Sequence, residues 1–288
     1  MKAIVVEGGA MRGIFAAGVL DQFIEQNYYP FDFALGVSAG VSNLVGYLAK
    51  QSGRSYQVIT QLATDKQFYN PARFLKGGNL VDVKWLVTQS NQQYPLDTDT
   101  MFNNIPLIAT ATNIETGRAD YYQVNADNLE KVLEATSALP IAYKQTPCLS
   151  RGCYTDGGVA DSIPVIEAYR RGAREITVIL SHPLSYQMPV RKSALVFKRL
   201  LKQYPKIGDA MVDRARRYNQ SLEFIRHPPV DATIRVIAPS QTFAVKRLTM
   251  KQTLLEQGYQ MGRSKGQQHL ASRQGVHGLT RENCHFCI

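Results

Sequence analysis

Ala3-Ile-Val-Val6 is a short run rich in β-branched residues that gives way to Glu7-Gly8-Gly9, after which Ile14, Ala17, Leu20, Phe23 and Ile24 recur at helical spacing. The pattern predicts a strand, a glycine turn and a helix. It then repeats: residues 31–35 are apolar, Gly36-Val37-Ser38-Ala39-Gly40 interrupts them, and Val41, Leu44, Val45 and Leu48 resume the helical period. Strands alternating with helices predict an α/β protein of three layers, a mainly parallel central sheet flanked by helices. Chemistry in such a fold gathers at the carboxyl ends of the strands, so both glycine turns are expected on one edge.

Residues 68–103 break this rhythm. Asn70-Pro71, Gly77-Gly78 and Tyr94-Pro95 punctuate short helical pieces around Trp85 and Leu86, which reads as a cap or insertion. Residues 105–113 and 119–124 flank the turn-like Glu115-Thr116-Gly117-Arg118 and predict a hairpin that extends the sheet. A helix follows over 128–138, then paired short strands over 143–154 around Ser150-Arg151-Gly152, leading into Thr155-Asp156-Gly157-Gly158. Pro164 opens a helix, and 176–180 reads as a strand. Basic helices occupy the chain beyond Pro189, with a strand at 233–237 and a last helix over about 255–270. A single domain over 1–273, with a basic helical region from about 190 and a flexible tail over 274–288, is the expected organisation.

Composition narrows the class. With 288 residues, 44% of them hydrophobic, the chain can bury one sizeable core, and no repetitive polar stretch suggests disorder. No apolar run approaches the roughly 18–20 residues that a membrane-spanning helix needs. One Lys and a few apolar residues before Glu7 are too short for the apolar region of a secretory signal, so a cytoplasmic protein is expected. Four cysteines give no disulfide framework, which suits a reducing compartment.

The net charge of +10 is unevenly placed. Residues 1–189 hold 15 Lys and Arg against 17 Asp and Glu, while residues 190–273 hold 17 against 5. The basic region 190–273 is expected either as a solvated surface or as a peripheral contact with anionic membrane at the inner face. Sustained interleaving of aromatic and basic residues is absent, so nucleic acid is not expected as a partner.

Gly36-Val37-Ser38-Ala39-Gly40 matches Gly-x-Ser-x-Gly, a spacing that lets the backbone turn sharply from strand to helix and lifts the serine oxygen clear of the sheet. A nucleophilic serine needs a base and an oxyanion site. Of the five histidines, only His182 follows a predicted strand closely enough to sit in a triad. Asp156 is the stronger candidate, since it ends a strand-like run and Gly157-Gly158 allow a close approach. Gly8-Gly9-Ala10-Met11-Arg12-Gly13 precedes a helix, and its N–H groups suit an oxyanion. A dinucleotide fingerprint would need glycine where Ala10 stands, and no Lys-Ser/Thr pair makes a phosphate loop. Cys284-His285-Phe286-Cys287 has only Cys148 and Cys153 as distant partners, and Asp97 and Asp99 read as a turn, so no metal site is expected.

Together these pieces resemble the patatin-like phospholipases, serine acyl hydrolases with a Ser-Asp dyad. That family's oxyanion loop Gly-Gly-Gly-x-Arg/Lys-Gly is similar to Gly8–Gly13, its nucleophile motif to Gly36–Gly40, and its Asp-Gly-Gly/Ala motif to Asp156–Gly158, in the same order. Residues 111–117, 135–140 and 161–165 add secondary likenesses, so the resemblance spans about 3–182. It implies Ser38 as nucleophile and Asp156 as base. It also implies an oxyanion hole from Gly8, Gly9, Ala10, Met11, Arg12, Gly13 and Ala39, with Gly36, Gly40, Gly157 and Gly158 supporting the turns. The implied substrate is a phospholipid, lysophospholipid or other lipid acyl ester, and no cofactor is implied. Ala10 departs from the family's loop, because a Cβ disfavours positive φ. It motivates a second reading, a non-catalytic or partner-activated protein that binds lipid or acyl groups.

Overall fold

A computed structural model describes residues 1–190 and 193–274. The two strand-turn-helix units form as the hydrophobic pattern predicts: β1 (Lys2–Val6) leads to α1 (Gly13–Glu25), and β2 (Phe33–Val37) leads to α2 (Ala39–Leu48). A short α3 (Arg54–Gln57) follows, and the irregular stretch expected as a cap contains α4 (Pro71–Leu75), α5 (Val83–Gln93) and α6 (Thr98–Phe102). Asp82 and Asp97 cap α5 and α6 by accepting the N–H groups of Trp85 and Thr100, each at 3.0 Å.

β3 (Leu107–Asn113) and β4 (Ala119–Gln123) form the expected hairpin, and α7 (Leu129–Ser137) follows. Next come β5 (Cys148–Leu149), β6 (Gly152–Asp156), α8 (Val165–Arg170) and β7 (Glu175–Ile179). The basic third supplies α9 (Ser193–Leu200), α10 (Pro205–Arg226), β8 (Thr233–Ile237) and α11 (Gln252–Gln274). The last helix is longer than its apolar period predicts: its first residue, Gln252, is held by the Thr60 carbonyl, and its middle lies on α1.

The eight strands make one mixed sheet in the order β5-β6-β3-β2-β1-β7-β8, with β4 also paired to β3. β3, β2, β1, β7 and β8 are parallel, while β4, β5 and β6 join antiparallel. The sequence expectation placed β3 at a sheet extension; its pairing with β2 on one side and β4 on the other makes it an inner strand.

Alternation along β1 shows how the layers are built. Ile4 and Val6 face a core completed by Phe15, Val19, Leu20 and Phe23 of α1 and by Leu44 and Leu48 of α2. Ala3 and Val5 face the opposite layer, with Tyr218, Leu222 and Ile225 of α10 and Val165 and Ala168 of α8. Phe23 is wholly buried, and truncating it to Ala would cost about 3–5 kcal/mol. α11 lies directly on α1, where a Cβ on Gly18 or Gly262 would collide with the carbonyl oxygen of Tyr259 or Phe15.

Cys148 and Cys153 are register partners across β5 and β6 and are joined as a disulfide. This corrects the expectation of four cysteines without one: the tight Leu149–Gly152 hairpin sets the two side chains opposite each other, which a cysteine count cannot show. The expected tail and its Cys284 and Cys287 lie outside the described residues, apart from Gln274 at the end of α11. Among the described residues, no helix is long and apolar enough to cross a membrane.

Candidate active site

Ser38 and Asp156 are brought together by β3. Val37, the last residue of β2, pairs with Thr110, and Asp156, the last of β6, pairs with the next residue, Ala111. β4 overlaps both stretches and so holds the other edge of β3. β2 and β6 therefore share one edge, running toward each other until their carboxyl ends meet.

The turn after β2 is sharp. Ser38 has φ +52° and ψ −123°, a conformation an L-residue holds at a cost of about 1–3 kcal/mol and one that surrounding bonds must fix. Thr136 of α7 supplies one of them: its hydroxyl accepts the Ser38 N–H at 2.8 Å and donates to the Thr110 carbonyl at 2.5 Å. The turn also needs Gly40, whose missing Cβ leaves room for the Val6 carbonyl oxygen at the end of β1. Gly36 packs against Leu44 and the start of α2, closing the turn from below.

Asp156 is fixed as firmly. Its Oδ1 accepts the Gly158 N–H at 2.7 Å, and its carbonyl accepts the Thr112 hydroxyl at 2.8 Å. Gly157 lies against the Thr110 carbonyl, where any side chain would push the aspartate away. Burial drives the Asp156 pKa upward, and the Gly158 N–H, the charge of Arg214, the Ser38 hydroxyl and the charge of Arg247 oppose it; the net shift is up. Ser38 and Asp156 are 9% and 5% exposed, so the pair sits in a largely dry place.

The backbone bonding of the glycine loop narrows its expected role. The Gly8 N–H donates to Ser162, Met11 to Arg247, Arg12 to Gly9, and Gly13 to Ala10 and Met11. These four residues therefore hold the loop in shape. Among the described residues, the N–H groups of Gly9, Ala10 and Ala39 have no protein acceptor, and Ala10 and Ala39 line the same cleft as Ser38. Ala10 adopts φ +50°, the conformation its Cβ disfavours. Gly9 packs against Ser181, which fixes the loop from the other side.

Ser38 lines a cleft shared by α2 and the cap stretch. Val45, Ile59, Phe68, Val83, Leu86 and Leu133 give it mainly apolar walls, three of them from the cap stretch. Arg54 lies in the wall, its Nε on the Tyr94 carbonyl at 2.9 Å, and burial pulls its pKa down to about 10.

His182 does not join Ser38 and Asp156. It follows β7, two strands from β2, where its Nδ1 lies 3.5 Å from Glu7 Oε1 and its ring stacks on Tyr186. Glu7 also accepts the Ser181 N–H at 2.6 Å and the Tyr218 hydroxyl at 3.0 Å. Burial alone would raise the Glu7 pKa, but His182, the Ser181 N–H and Arg12 outweigh it and hold the carboxyl below its usual range. This network ties β1, β7 and α10 together beside the glycine loop. No group of three His, Cys, Asp or Glu that could hold a metal ion occurs among the described residues.

Sequence reasoning missed Thr136, Arg214 and Arg247. Thr136 lay inside a noted likeness without a role, and the two arginines counted only as part of a basic region. No local spacing connects them to Ser38.

Residues 4–169, from β1 into α8, match the family model described as patatin-like phospholipase. Residues 204–274 match a domain of unknown function, DUF6363. The chain is 34% identical over 283 residues to the uncharacterized protein YjjU of Escherichia coli (strain K12), covering 94% of this chain and 77% of that protein. It is also similar to the crystal structure of VipD from Legionella pneumophila, at a TM-score of 0.44 and 13% identity, covering 94% of this chain and 67% of that one.

Proposed function

The chain belongs to the patatin-like phospholipase family, and from that premise we propose that it hydrolyses the carboxylic ester of a phospholipid or lysophospholipid through Ser38 and Asp156. The observation that carries the reading is the end-to-end meeting of β2 and β6 on β3, which sets a strained serine against a buried carboxylate beside free N–H donors.

The Ser38 Oγ attacks the ester carbonyl carbon and passes its proton to Asp156. Because Oδ1 is held by the Gly158 N–H, Oδ2 takes the proton. The oxygen of the tetrahedral intermediate receives the N–H groups of Gly9, Ala10 and Ala39, with the start of α2 adding its dipole. Collapse breaks the bond to the alcohol, which leaves with the proton from Asp156 and leaves an acyl ester on Ser38. A water then attacks that ester while Asp156 takes its proton. The second collapse releases the carboxylic acid and returns the proton to Ser38.

The apolar cleft takes the acyl chain. On α9, Val196 and Leu200 are 58% and 62% exposed beside Lys198 and Arg199, which supports docking of this face on anionic membrane. The alternative, a non-catalytic or partner-activated protein that binds lipid or acyl groups, is motivated by Ala10; the positive φ that Ala10 adopts despite its Cβ favours the hydrolase reading over it.

The test is reaction with a fluorophosphonate probe followed by intact mass. A one-to-one adduct is expected, absent in Ser38→Ala and slowed in Asp156→Asn, with ester turnover lost by at least about a thousandfold in Ser38→Ala. A folded wild-type protein that forms no adduct and turns over no ester overturns the reading.

A further inference from the structure

The cleft that holds Ser38 has a cationic side built from the far end of the chain. The segment between β8 and α11 is pinned to the oxyanion loop, where the Met11 N–H donates to the Arg247 carbonyl at 3.4 Å. The Arg247 side chain, half-buried, lines the cleft together with Ser38 and Ala10, and it has no acceptor among the described residues. Arg214 of α10 stands behind the aspartate turn, with its Nε on the Gly158 carbonyl at 2.6 Å and its Nη2 3.5 Å from the Ser162 Oγ. Arg12 is 92% buried, since 8% of it is exposed, and its Nη2 is buried with no acceptor.

Arg247 in the cleft wall thus has two further guanidiniums behind it, Arg12 and Arg214, and the buried carboxylates within their reach are Glu7 and Asp156. Burial first, and then the charge of Arg247, pulls the Arg214 pKa down to about 10, so the two arginines repel across this space. Glu7 is already taken by His182, Ser181 and Tyr218, and Asp156 by Gly158. An unengaged guanidinium in the cleft wall, with a positive excess behind it, is complementary to an oxyanion on the ligand.

We propose that residues 204–274, the domain of unknown function, supply a head-group site to the cleft, in which Arg247, backed by Arg214, binds the phosphate of the ester substrate. This rests on the acyl-hydrolase reading above and adds a selectivity to it. A planar guanidinium pairs with phosphate through two parallel N–H donors, which a neutral glyceride cannot accept in the same way. The apolar walls then hold the acyl chain, and the arginine side holds the head group, with the scissile carbonyl between them at Ser38.

The experiment uses the full chain and two esters with the same acyl chain, a lysophosphatidate and a monoacylglycerol. Wild type is expected to favour the phosphate-bearing ester in kcat/KM. In Arg247→Gln the ratio between the two esters falls by about tenfold or more, chiefly through KM, and Arg247→Lys recovers part of it. A ratio left unchanged in Arg247→Gln overturns the head-group site while the hydrolase reading stands. No turnover of either ester and no fluorophosphonate adduct overturns both. A competition with wild type needs no variant: glycerol 3-phosphate is expected to compete with the lysophosphatidate more strongly than inorganic phosphate does. Equal or stronger competition by inorganic phosphate makes this a free-anion site and overturns the head-group assignment.

Discussion

The Thr136 hydroxyl bonds the Ser38 N–H at 2.8 Å from within a wholly buried side chain, and it bonds the Thr110 carbonyl at the point of β3 where β2 ends. One hydroxyl therefore satisfies the two backbone groups that the strained turn would otherwise orphan. Thr136→Val keeps the shape and removes both bonds, costing about 1–3 kcal/mol for each buried group left unpaired. Ester turnover is expected to drop by about 10- to 100-fold as the serine shifts. Thermal unfolding together with kcat checks this, and Thr136→Ser should restore both.

Ala10 bears a different strain. Because it holds φ +50° with a Cβ, Ala10→Gly is expected to stabilise the fold by about 1 kcal/mol, or a rise in Tm of about 2–4 °C, with turnover retained. Unchanged or lower Tm in calorimetry would show that the loop gains nothing from glycine.

In the proposed mechanism Asp156 acts as a carboxylate, so the acid side of the pH–rate profile is expected to follow its titration. Burial raises that pKa, which places the acid limb above the ordinary aspartate value of about 3.9. Arg214 opposes the rise, so Arg214→Gln should move the limb to higher pH. Measuring kcat/KM of a soluble ester against pH for both proteins tests the sign: a limb that moves down contradicts it.

Asp21 links pH to stability through α1 and α11. It is buried on α1 and accepts the Tyr259 hydroxyl at 2.8 Å, and burial raises its pKa to about 6. The folded state therefore binds this proton more tightly than the unfolded chain does. The contribution is full below about pH 4, declines as pH rises toward about 6, and is lost above that. Asp21→Asn should flatten this window and stabilise the protein at pH 7 by on the order of 2 kcal/mol. Denaturant unfolding at pH 4 and pH 7 checks it, and an equal effect at both would refute the linkage.

Much of this was legible in the chain. Ile14, Leu20 and Phe23 announced α1 through their period, the β-branched run over residues 3–6 announced a strand, and Gly36–Gly40 announced a tight turn, since each of these depends on neighbours within a few residues. Helix α11 exceeds its apolar period, because the glycines that seat it on α1, Gly262 and Gly266, find their partners at Phe15 and Val19, at the other end of the chain.

Local sequence was enough for the strand-turn-helix units, for the small residues that let them turn, and for the serine, aspartate and glycine loop that could share one sheet edge. That β2 and β6 meet head-on came from the folded arrangement, because strand register is a long-range pairing that no local spacing encodes. The folded arrangement likewise decided which N–H groups remain free beside Ser38, that His182 serves Glu7, that Arg247 lines the cleft and that Arg214 holds the Gly158 carbonyl behind Asp156. Hydrogen bonds and charge act through distance in space, and the chain brings those distances into being only when its layers pack.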